Sequence, residues 1–233
     1  MTDVQQGSVV RQLGIRASVA CIVLVAAGLL GALALTAAVV AAGGGALAMD
    51  ETALELVLAL RSEGLTAAMK AITVLGTLVA LLALALAAAL LVPRARRAAL
   101  WCGVGAVVVN LLNVGLKALV ARPRPDEALR LIAITGTSFP SGHAMNAVAF
   151  FGLVAWFVWQ SGLSRGRRAL AAAACVLLAA LICVSRVYLG VHYLSDVLAG
   201  ACASLVWLVC YTRVIRNVSG LGTVPKPDRQ HGA

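Results

Sequence analysis

Charged side chains are scarce in this chain, since only 12% of its 233 residues are Asp, Glu, Lys or Arg. Ordinary soluble domains carry roughly 25% charged residues. Acidic side chains are the rarer kind, with nine Asp and Glu against nineteen Lys and Arg. The mean hydropathy is +0.98, and 62% of the residues are hydrophobic. This composition excludes an ordinary soluble domain and predicts an integral membrane protein.

Residues arranged to hold a metal ion are also lacking in the sequence. The six cysteines lie in apolar segments without CxxC spacing, which predicts packed side chains rather than disulfides or metal ligands. The acidic residues concentrate around residues 50–63 and form no cluster typical of Mg²⁺ or Zn²⁺ sites. We therefore expect no metal and no cofactor.

Long apolar segments are abundant, and six of them are candidates for the roughly 20-residue spans that cross a bilayer. They are too long and too uniformly apolar for barrel strands, which predicts an all-α bundle of six transmembrane helices. The fourth and fifth candidates are the shortest. The predicted spans cover residues 17–42, 65–92, 98–121, 144–159, 169–184 and 193–211.

These spans leave no room for a separate soluble domain, so residues 17–217 are predicted to form a single membrane domain. Residues 1–16 would be a cytoplasmic N-terminal segment, and residues 218–233 a polar, flexible cytoplasmic tail. The first span resembles a signal peptide, but its apolar run exceeds the roughly 7–15 residues of a signal core, so we expect it to be retained. Residues 50–61 predict an amphipathic helix on the outer surface, either a connector or a rim for a lipid substrate.

The distribution of basic residues predicts which side of the membrane each loop occupies. With both termini in the cytoplasm, twelve of the nineteen Lys and Arg fall inside, against two acidic residues. Cytoplasmic loops carry such an excess of basic residues. The net charge of +10 thus indicates topology and contact with anionic membrane lipids, not nucleic-acid binding. It gives no indication of oligomeric state.

The first polar cluster lies at the outer end of the third span. Lys117 stands near the end of that helix, and Arg124 follows in a loop stiffened by prolines. The arginine fork matches phosphate oxygens, while lysine contributes a point charge. The alternative is that both side chains extend to lipid headgroups, as basic residues at span ends commonly do.

The second cluster opens the fourth span. Ser141 is placed to cap the helix, and Gly142 allows a ligand to approach the backbone. Free N–H groups at a helix start bind phosphate. His143 then stands where it could give a proton to a leaving oxygen. The alternative is an ordinary capped helix start with an exposed histidine.

The third cluster lies between the last two spans and contains Arg186, His192 and Asp196. Charged groups at a membrane span are costly to keep without a function. His192 and Asp196 are four residues apart, so on a helix the carboxylate can hold the imidazole. The pattern predicts a histidine nucleophile that an aspartate orients, with a structural His–Asp pair as the alternative. In the predicted orientation all three clusters meet at the outer face.

Together the clusters resemble the signature of the type 2 phosphatidic acid phosphatase superfamily, the lipid phosphate phosphatases. That signature is Lys, six residues, Arg-Pro; then Pro-Ser-Gly-His; then Ser-Arg, five residues, His, three residues, Asp. Every position is filled in order and spacing. The matching residues run from Lys117 to Arg124-Pro125, from Pro140 to His143, and from Ser185-Arg186 through His192 to Asp196.

The resemblance implies a metal-free, two-step reaction. His192 would attack phosphorus and form a phosphohistidine, oriented by Asp196, while His143 would protonate the leaving lipid oxygen. Water would then hydrolyse the intermediate, with His143 as base. The phosphate oxygens would be held by Lys117, Arg124, Ser141, the Gly142 backbone and Arg186.

The expected substrate is a lipid phosphate at the outer face of a bacterial plasma membrane. Family precedent favours polyprenyl pyrophosphate (undecaprenyl or decaprenyl), followed by phosphatidic acid or phosphatidylglycerol phosphate. Two alternatives remain open: a phosphotransferase that uses an acceptor other than water, and a transporter that binds lipid phosphates without cleaving them.

Overall fold

The computed structural model describes residues 3–219, with side chains from residue 21 onward. This part of the chain contains eight α-helices, two short 3-10 helices and no β-strand, which confirms the all-α prediction. The predicted tail 218–233 lies outside the described residues beyond Ser219. The helices are α1 (Asp3–Ala41), α2 (Ala48–Ala59), α3 (Glu63–Val74), α4 (Leu78–Leu91), α5 (Arg96–Val120), α6 (Gly142–Trp159), α7 (Arg165–Tyr188) and α8 (Leu194–Ser219).

Five of the described helices are long and apolar enough to cross a membrane: α1, α5, α6, α7 and α8. The pair α3 and α4 makes a sixth candidate, bent by 63° at its break. The fifth predicted span is not short, because α7 extends over 24 residues from Arg165 to Tyr188. Its polar ends, which hydropathy had excluded, continue the helix on both sides.

The second predicted span, 65–92, corresponds to two helices, α3 and α4, joined at the bend. The chain leaves the helix after Val74 and begins α4 at Leu78. Thr77 explains the interruption, because its hydroxyl donates to the Val74 carbonyl and accepts from the Ala80 amide. These bonds cap the new helix and replace continuous backbone pairing. Gly76 adds low helix propensity at the same point.

The bundle is organised around α6, which packs against α5, α7 and α8. Its core joins Leu81, Ala106, Phe150, Leu153 and Ile182, all nearly inaccessible. Many large apolar side chains instead face outward, for example along α4, α5 and α7. Such a surface is typical of a bundle whose outer face contacts lipid tails.

The loops that carry the three polar clusters meet at one end of the bundle. This end gathers the ends of α5 and α7, the starts of α6 and α8, and the loop from residue 121 to 141. The break between α3 and α4 and the helix α2 contact the same end, through α7 and α8. The fold therefore brings together residues that are far apart in sequence.

Candidate active site

His192 occupies a tight turn between α7 and α8, and only 3% of its surface is exposed. The turn needs Gly190, whose φ of +69° lies in the left-handed region. A Cβ atom at Gly190 would also collide with the Leu129 carbonyl. These constraints place the imidazole inside the protein rather than at the surface, where loop histidines are common.

Ser138 and Asp196 determine which ring nitrogen of His192 carries the proton. The Ser138 hydroxyl donates a short hydrogen bond to Oδ2 of Asp196, so its lone pairs face Nδ1 of His192 at 3.3 Å. The same Asp196 oxygen lies 3.5 Å from Nδ1. Both groups accept at this nitrogen, which assigns the proton to Nδ1 and leaves a lone pair on Nε2.

The other ring nitrogen of His192 faces a cation. Nη1 of Arg124 donates to Nε2 of His192 at 3.2 Å and to the Val191 carbonyl at 2.7 Å. Burial lowers the pKa of His192 to about 4; the positive charges of Arg186 and Arg124 act in the same direction, and Asp196 opposes them. The imidazole is therefore neutral near pH 7, as a nucleophile must be.

Arg186 is a buried cation with unused hydrogen-bonding capacity. Only 1% of its surface is exposed, and Nη1 donates to Oγ1 of Thr73 at 2.7 Å. Among the residues whose side chains the structure describes, its Nε and Nη2 atoms have no hydrogen-bond partner. Buried donors without a partner are unfavourable, and these two nitrogens are available to an anionic ligand.

The remaining cation, Lys117, holds the loop that contains Ser138. Its Nζ donates to the carbonyl oxygens of Thr137 and Ser138. The structure therefore places Lys117 beside the loop that orients His192. The carbonyls occupy part of its donor capacity, and an ammonium group has three donors.

The Pro140–His143 segment enters α6 as the sequence predicts. Ser141 is the N-cap, and its hydroxyl accepts from the Ala144 amide. Its own amide donates to the Asp196 carbonyl at 3.0 Å, which joins α6 to α8. A Cβ atom at Gly142 would lie 2.7 Å from Oδ1 of Asn113, so only glycine fits beside that side chain.

His143 lies at the same end of the bundle as His192. The charged and titratable groups around its ring are Arg186, His192, Arg124 and Lys117. The break between α3 and α4 also lies against this ring. A Cβ atom added to Gly76 would be 3.0 Å from Cδ2 of His143. All eight predicted site residues are thus assembled around one region.

Four contributors were missed by sequence reasoning: Asp50, Thr73, Arg122 and Ser138. Arg122 is 1% exposed and donates to Asp196 at 2.7 Å. Asp50 is 2% exposed and binds Arg122. Arg122 stands inside the Lys117–Pro125 run and could have been noticed there. Thr73 and Ser138 carry no such signal. Thr73 is a single hydroxyl residue in an apolar helix, and Ser138 is one of several hydroxyl residues in its loop.

Metal ligation has no support from side-chain clusters in this structure. Among the side chains of residues 21–219, no group of three or more His, Cys, Asp or Glu is placed to hold a metal ion. Positively charged groups surround the two histidines instead. The arrangement is suited to an anion.

The architecture and the site define a class of protein, a helical membrane bundle with a buried histidine and several cations at one end. The profile described as the PAP2 superfamily matches residues 78–219, more than half of the chain. This chain belongs to the PAP2 superfamily, and the resemblance drawn from the three motifs is confirmed.

Two curated relatives match part of the chain. Phosphatidylglycerophosphatase B of Bacillus subtilis is 43% identical over 93 residues, which are 39% of this chain and 45% of that protein. Decaprenylphosphoryl-5-phosphoribose phosphatase of Mycobacterium tuberculosis is 38% identical over 122 residues, 51% of this chain and 62% of that protein. The matches span less than two thirds of either relative.

Two solved structures share the fold. The crystal structure of a transmembrane PAP2-type phosphatidylglycerolphosphate phosphatase from Bacillus subtilis has a TM-score of 0.73 and 28% identity, covering 83% of this chain and 96% of that chain. The crystal structure of Aquifex aeolicus LpxE has a TM-score of 0.60 and 21% identity, covering 72% of this chain and 96% of that chain. The second likeness concerns the fold alone.

Proposed function

We propose that this chain is a metal-independent lipid phosphate phosphatase that cleaves a phosphomonoester or pyrophosphate through a phosphohistidine intermediate. The observation that carries the proposal is the orientation of His192, whose Nδ1 faces Ser138 and Asp196 while Nε2 faces Arg124. A neutral imidazole held this way directs its lone pair toward the place where an anion would bind. Relatives whose printed names describe phosphatases of lipid phosphates support the assignment.

In the first step, Nε2 of His192 attacks phosphorus and the bond from phosphorus to the leaving oxygen breaks. His143 gives its proton to that oxygen, which departs as the lipid alcohol or, from a pyrophosphate, as the lipid monophosphate. The bound anion stabilises the protonated form of His143 needed for this transfer. Asp196 stabilises the positive charge that develops on the phosphorylated imidazole.

In the second step, His143 takes a proton from water, and the resulting oxygen nucleophile attacks phosphorus. The bond from phosphorus to Nε2 of His192 breaks, and inorganic phosphate leaves. Both histidines then return to their starting protonation states. The sum of the two steps is hydrolysis, and no metal ion or other co-reactant is required.

Charge stabilisation would come from three cations and the start of α6. Arg124 and Arg186 would bind the equatorial phosphate oxygens together with Lys117, and the Ser141–Gly142 backbone would contribute donors at the helix start. Arg186 is the best placed of these, since two of its nitrogens lack partners among the described residues. Groups positioned in advance in this way often supply the largest catalytic contribution.

An apolar surface on the helix of one of the cations is suited to a substrate tail. The helix α5, which carries Lys117, also bears an apolar groove of about 570 Å³. Its lining residues are Val108, Leu111, Leu112, Gly115, Leu116 and Leu119. A lipid phosphate could place its tail along such a surface while its headgroup reaches the cations. Polyprenyl pyrophosphate is our first choice of substrate, followed by phosphatidic acid and phosphatidylglycerol phosphate.

We place the protein in a bacterial plasma membrane as a single domain over residues 17–217, with both termini in the cytoplasm and the site outside. The excess of basic residues in the predicted inner segments supports this orientation. A membrane-impermeant maleimide offered to intact cells tests it, using single cysteines introduced at Gly64 and at Gly166 in a cysteine-free background. Labelling at position 64 alone supports the orientation, and labelling at position 166 alone reverses it.

The deciding experiment measures phosphate release by the purified protein in detergent. The panel contains polyprenyl pyrophosphate, phosphatidic acid, phosphatidylglycerol phosphate and decaprenylphosphoryl-5-phosphoribose. Turnover of at least one lipid, absent in the His192→Gln variant, would support the proposal. A folded wild-type protein that releases no phosphate from any of them would contradict it and favour a transporter.

Two additions to the same assay test the mechanism. Activity should persist in EDTA, because the proposed steps use no metal, and vanadate should inhibit as a trigonal-bipyramidal mimic of the transition state. Strong inhibition by EDTA, or indifference to vanadate, would count against the reaction. An added lipid alcohol distinguishes transfer from hydrolysis, since a phosphotransferase would convert it to a new lipid phosphate.

A further inference from the structure

A buried chain of charged groups extends behind Asp196. Oδ2 of Asp196 binds the Tyr193 amide and Ser138 and approaches His192. Oδ1 of the same carboxylate accepts from Nη1 of Arg122 at 2.7 Å. The aspartate that orients the nucleophile is therefore itself held by a second residue.

Arg122 uses every N–H group of its guanidinium in defined contacts. Nε donates to the Gly44 carbonyl at 3.1 Å, and Nη1 donates to Oγ of Ser195 and Oδ1 of Asp196, both at 2.7 Å. Nη2 donates to the Gly45 carbonyl and to Oδ2 of Asp50. An arginine has five N–H donors, so none is left for a substrate.

The loop after α1 is shaped to supply two of these acceptors. Gly44 has a φ of +81°, a left-handed conformation that favours glycine. A Cβ atom there would lie 3.3 Å from Cδ of Pro123 and 3.8 Å from Cγ of Arg122. The glycine turn therefore lets the backbone carbonyls approach the guanidinium closely.

Asp50 closes the chain at its other end. Its Oδ1 accepts from the Ser195 amide at 2.7 Å, and Oδ2 accepts from Oγ of Ser195 at 2.8 Å and from Nη2 of Arg122 at 3.0 Å. Oδ2 also accepts from the Leu47 amide at 3.0 Å, which ties it to the start of α2. Asp50 thus holds both Arg122 and the residue that precedes Asp196.

Charge balance explains why these groups depend on one another. Asp50 and Asp196 have fully buried side chains, and Arg122 forms an ion pair with each. Removing the cation would leave two carboxylates buried without compensation. Cζ of Arg122 also lies over the Tyr193 ring, 4.1 Å from its centre, a cation–π contact that adds to its fixed position.

We infer that Asp50 and Arg122 are positioning residues that act through Asp196 to hold the His192 ring in its reactive orientation. This inference rests on the proposed function, because it assigns His192 the role of nucleophile. The two residues do not touch the phosphate and so leave its binding unchanged. Their contribution appears in the chemical step, where the direction of the Nε2 lone pair matters.

The first test uses Arg122→Lys and Asp50→Asn with the best lipid substrate. We expect kcat to fall by about 10- to 100-fold in each variant, because small misplacements of a reacting group cost up to about 10² in rate. KM and the inhibition constant of inorganic phosphate, which report binding before the transition state, should stay within about twofold. A fall in kcat alone is the pattern expected when an interaction made only in the transition state is lost. Unchanged kcat in both variants would overturn the inference, and so would a rise in KM alone.

Arg130→Lys is the matched control. Arg130 lies in the same loop and donates through Nε and Nη2 to the Pro125 carbonyl. The same change of arginine to lysine there should leave kcat near the wild-type value. A comparable loss of kcat in Arg130→Lys would assign the effect to loop integrity and contradict a specific role for Arg122.

A double-mutant cycle tests whether Arg122 acts through Asp196. In an Asp196→Asn background, Arg122→Lys should lower kcat by less than about threefold further, because coupled residues are strongly non-additive. Full additivity would mean that Arg122 acts independently, and the inference would be wrong.

A spectroscopic measurement separates this inference from the proposed function. The chain has three histidines, so ¹⁵N NMR of histidine-labelled protein, with His192→Gln for assignment, reports which ring nitrogen of His192 carries the proton. We expect Nδ1–H alone in the wild type and a mixture of tautomers in Arg122→Lys and Asp50→Asn. An unaltered tautomer in both variants contradicts positioning even if no lipid is hydrolysed.

Folding of the variants is checked by size-exclusion chromatography and thermal unfolding in detergent. Asp50→Asn is nearly isosteric and decides the matter if Arg122→Lys does not fold. Loss of folding by both variants would assign the chain of charges to stability and overturn the inference. A wild type without phosphatase activity but with the expected tautomer shift would refute the proposed function alone.

Discussion

Arg122 and Arg186 are equally buried, each with 1% of its surface exposed, yet their surroundings differ in kind. Arg122 donates five hydrogen bonds to carbonyls, a hydroxyl and two carboxylates. Arg186 donates one, to Thr73, and two of its nitrogens lack partners within the described residues. The first region is complete as it stands, whereas the second is arranged for a negatively charged ligand.

This difference shows how one bundle end can combine rigidity with binding. A charge that is fully paired fixes the geometry of its neighbours. A buried cation with open donors keeps binding capacity that an anion can use. His192 lies between the two regions, with Asp196 on one ring nitrogen and Arg124 on the other. Substitutions in the two regions should therefore change different kinetic parameters, kcat in the first region and anion binding in the second.

The largest effect is expected at the shared residue, in His192→Gln. The variant should lose at least about 10⁴-fold in phosphate release, as enzymes do when a nucleophile is removed, and it should trap no phosphoryl group. Acid-quenched gels with ³²P-labelled substrate measure both quantities. A variant that still turns over at more than a hundredth of the wild-type rate would move the nucleophile elsewhere.

Arg186→Lys should produce the next largest effect. Lysine keeps the charge but not the planar fork, so we expect a loss of about 10²–10³ in kcat/KM together with weaker inhibition by inorganic phosphate. Steady-state kinetics and titration with inorganic phosphate check this outcome. Arg122→Lys is the contrasting variant, because it should lower kcat without weakening inhibition by inorganic phosphate. If the two variants showed the same pattern, the distinction between the regions would be wrong.

A smaller effect is expected from Gly76→Ala at the break between α3 and α4. The added Cβ atom would lie 3.0 Å from Cδ2 of His143 and 2.6 Å from Cγ2 of Ile182. We expect kcat/KM to fall by about tenfold, because the His143 ring must shift slightly. Gly64→Ala is the control, since nothing lies within 4 Å of its added Cβ atom. Equal activities of the two variants would show that packing of the break against His143 does not matter for activity.

The smallest effect is expected from protonation of His192 between pH 7 and pH 5. A His192 pKa of about 4 keeps the nucleophile neutral over this range, so its protonation should lower kcat/KM less than about twofold. An ordinary pKa near 6.5 would lower kcat/KM about 25-fold. Activity should be lost as the pH falls through about 4, because protonation removes the Nε2 lone pair. Measuring the pH profile with a lipid monophosphate and with a lipid diphosphate separates the ionisation of His192 from that of the substrate. A loss of activity near pH 6.5 with both substrates would contradict the lowering of the His192 pKa by burial.

Hydropathy and the three motifs were sufficient to predict the helical bundle and to select the residues that meet at its end. The prediction succeeded because charged side chains in apolar segments are rare and stand out. Arg186 illustrates this, since a buried arginine beside a span is hard to explain without a ligand. The number of spans between the three clusters was enough to predict that all three lie on the same side of the membrane.

The partners of these residues could not be predicted in the same way. Asp50 was assigned to an amphipathic surface helix because it stands among acidic residues at a span end, yet it is buried against Arg122 and Ser195. Which of several similar acids turns inward depends on tertiary packing. The break at Gly76 could not be predicted from hydropathy either, because an apolar segment has the same hydropathy whether its helix is straight or bent.

The glycine turn after α1 has a consequence for the minimal functional unit of the protein. The superfamily profile begins at residue 78, and a chain cut there would retain all eight predicted site residues. It would lack the Gly44 and Gly45 carbonyls and Asp50, which satisfy Arg122, and Thr73, which holds Arg186. We therefore expect the proposed activity to require N-terminal helices that contribute no signature residue. A boundary drawn at the start of the profile match would separate these helices from the rest of the candidate site.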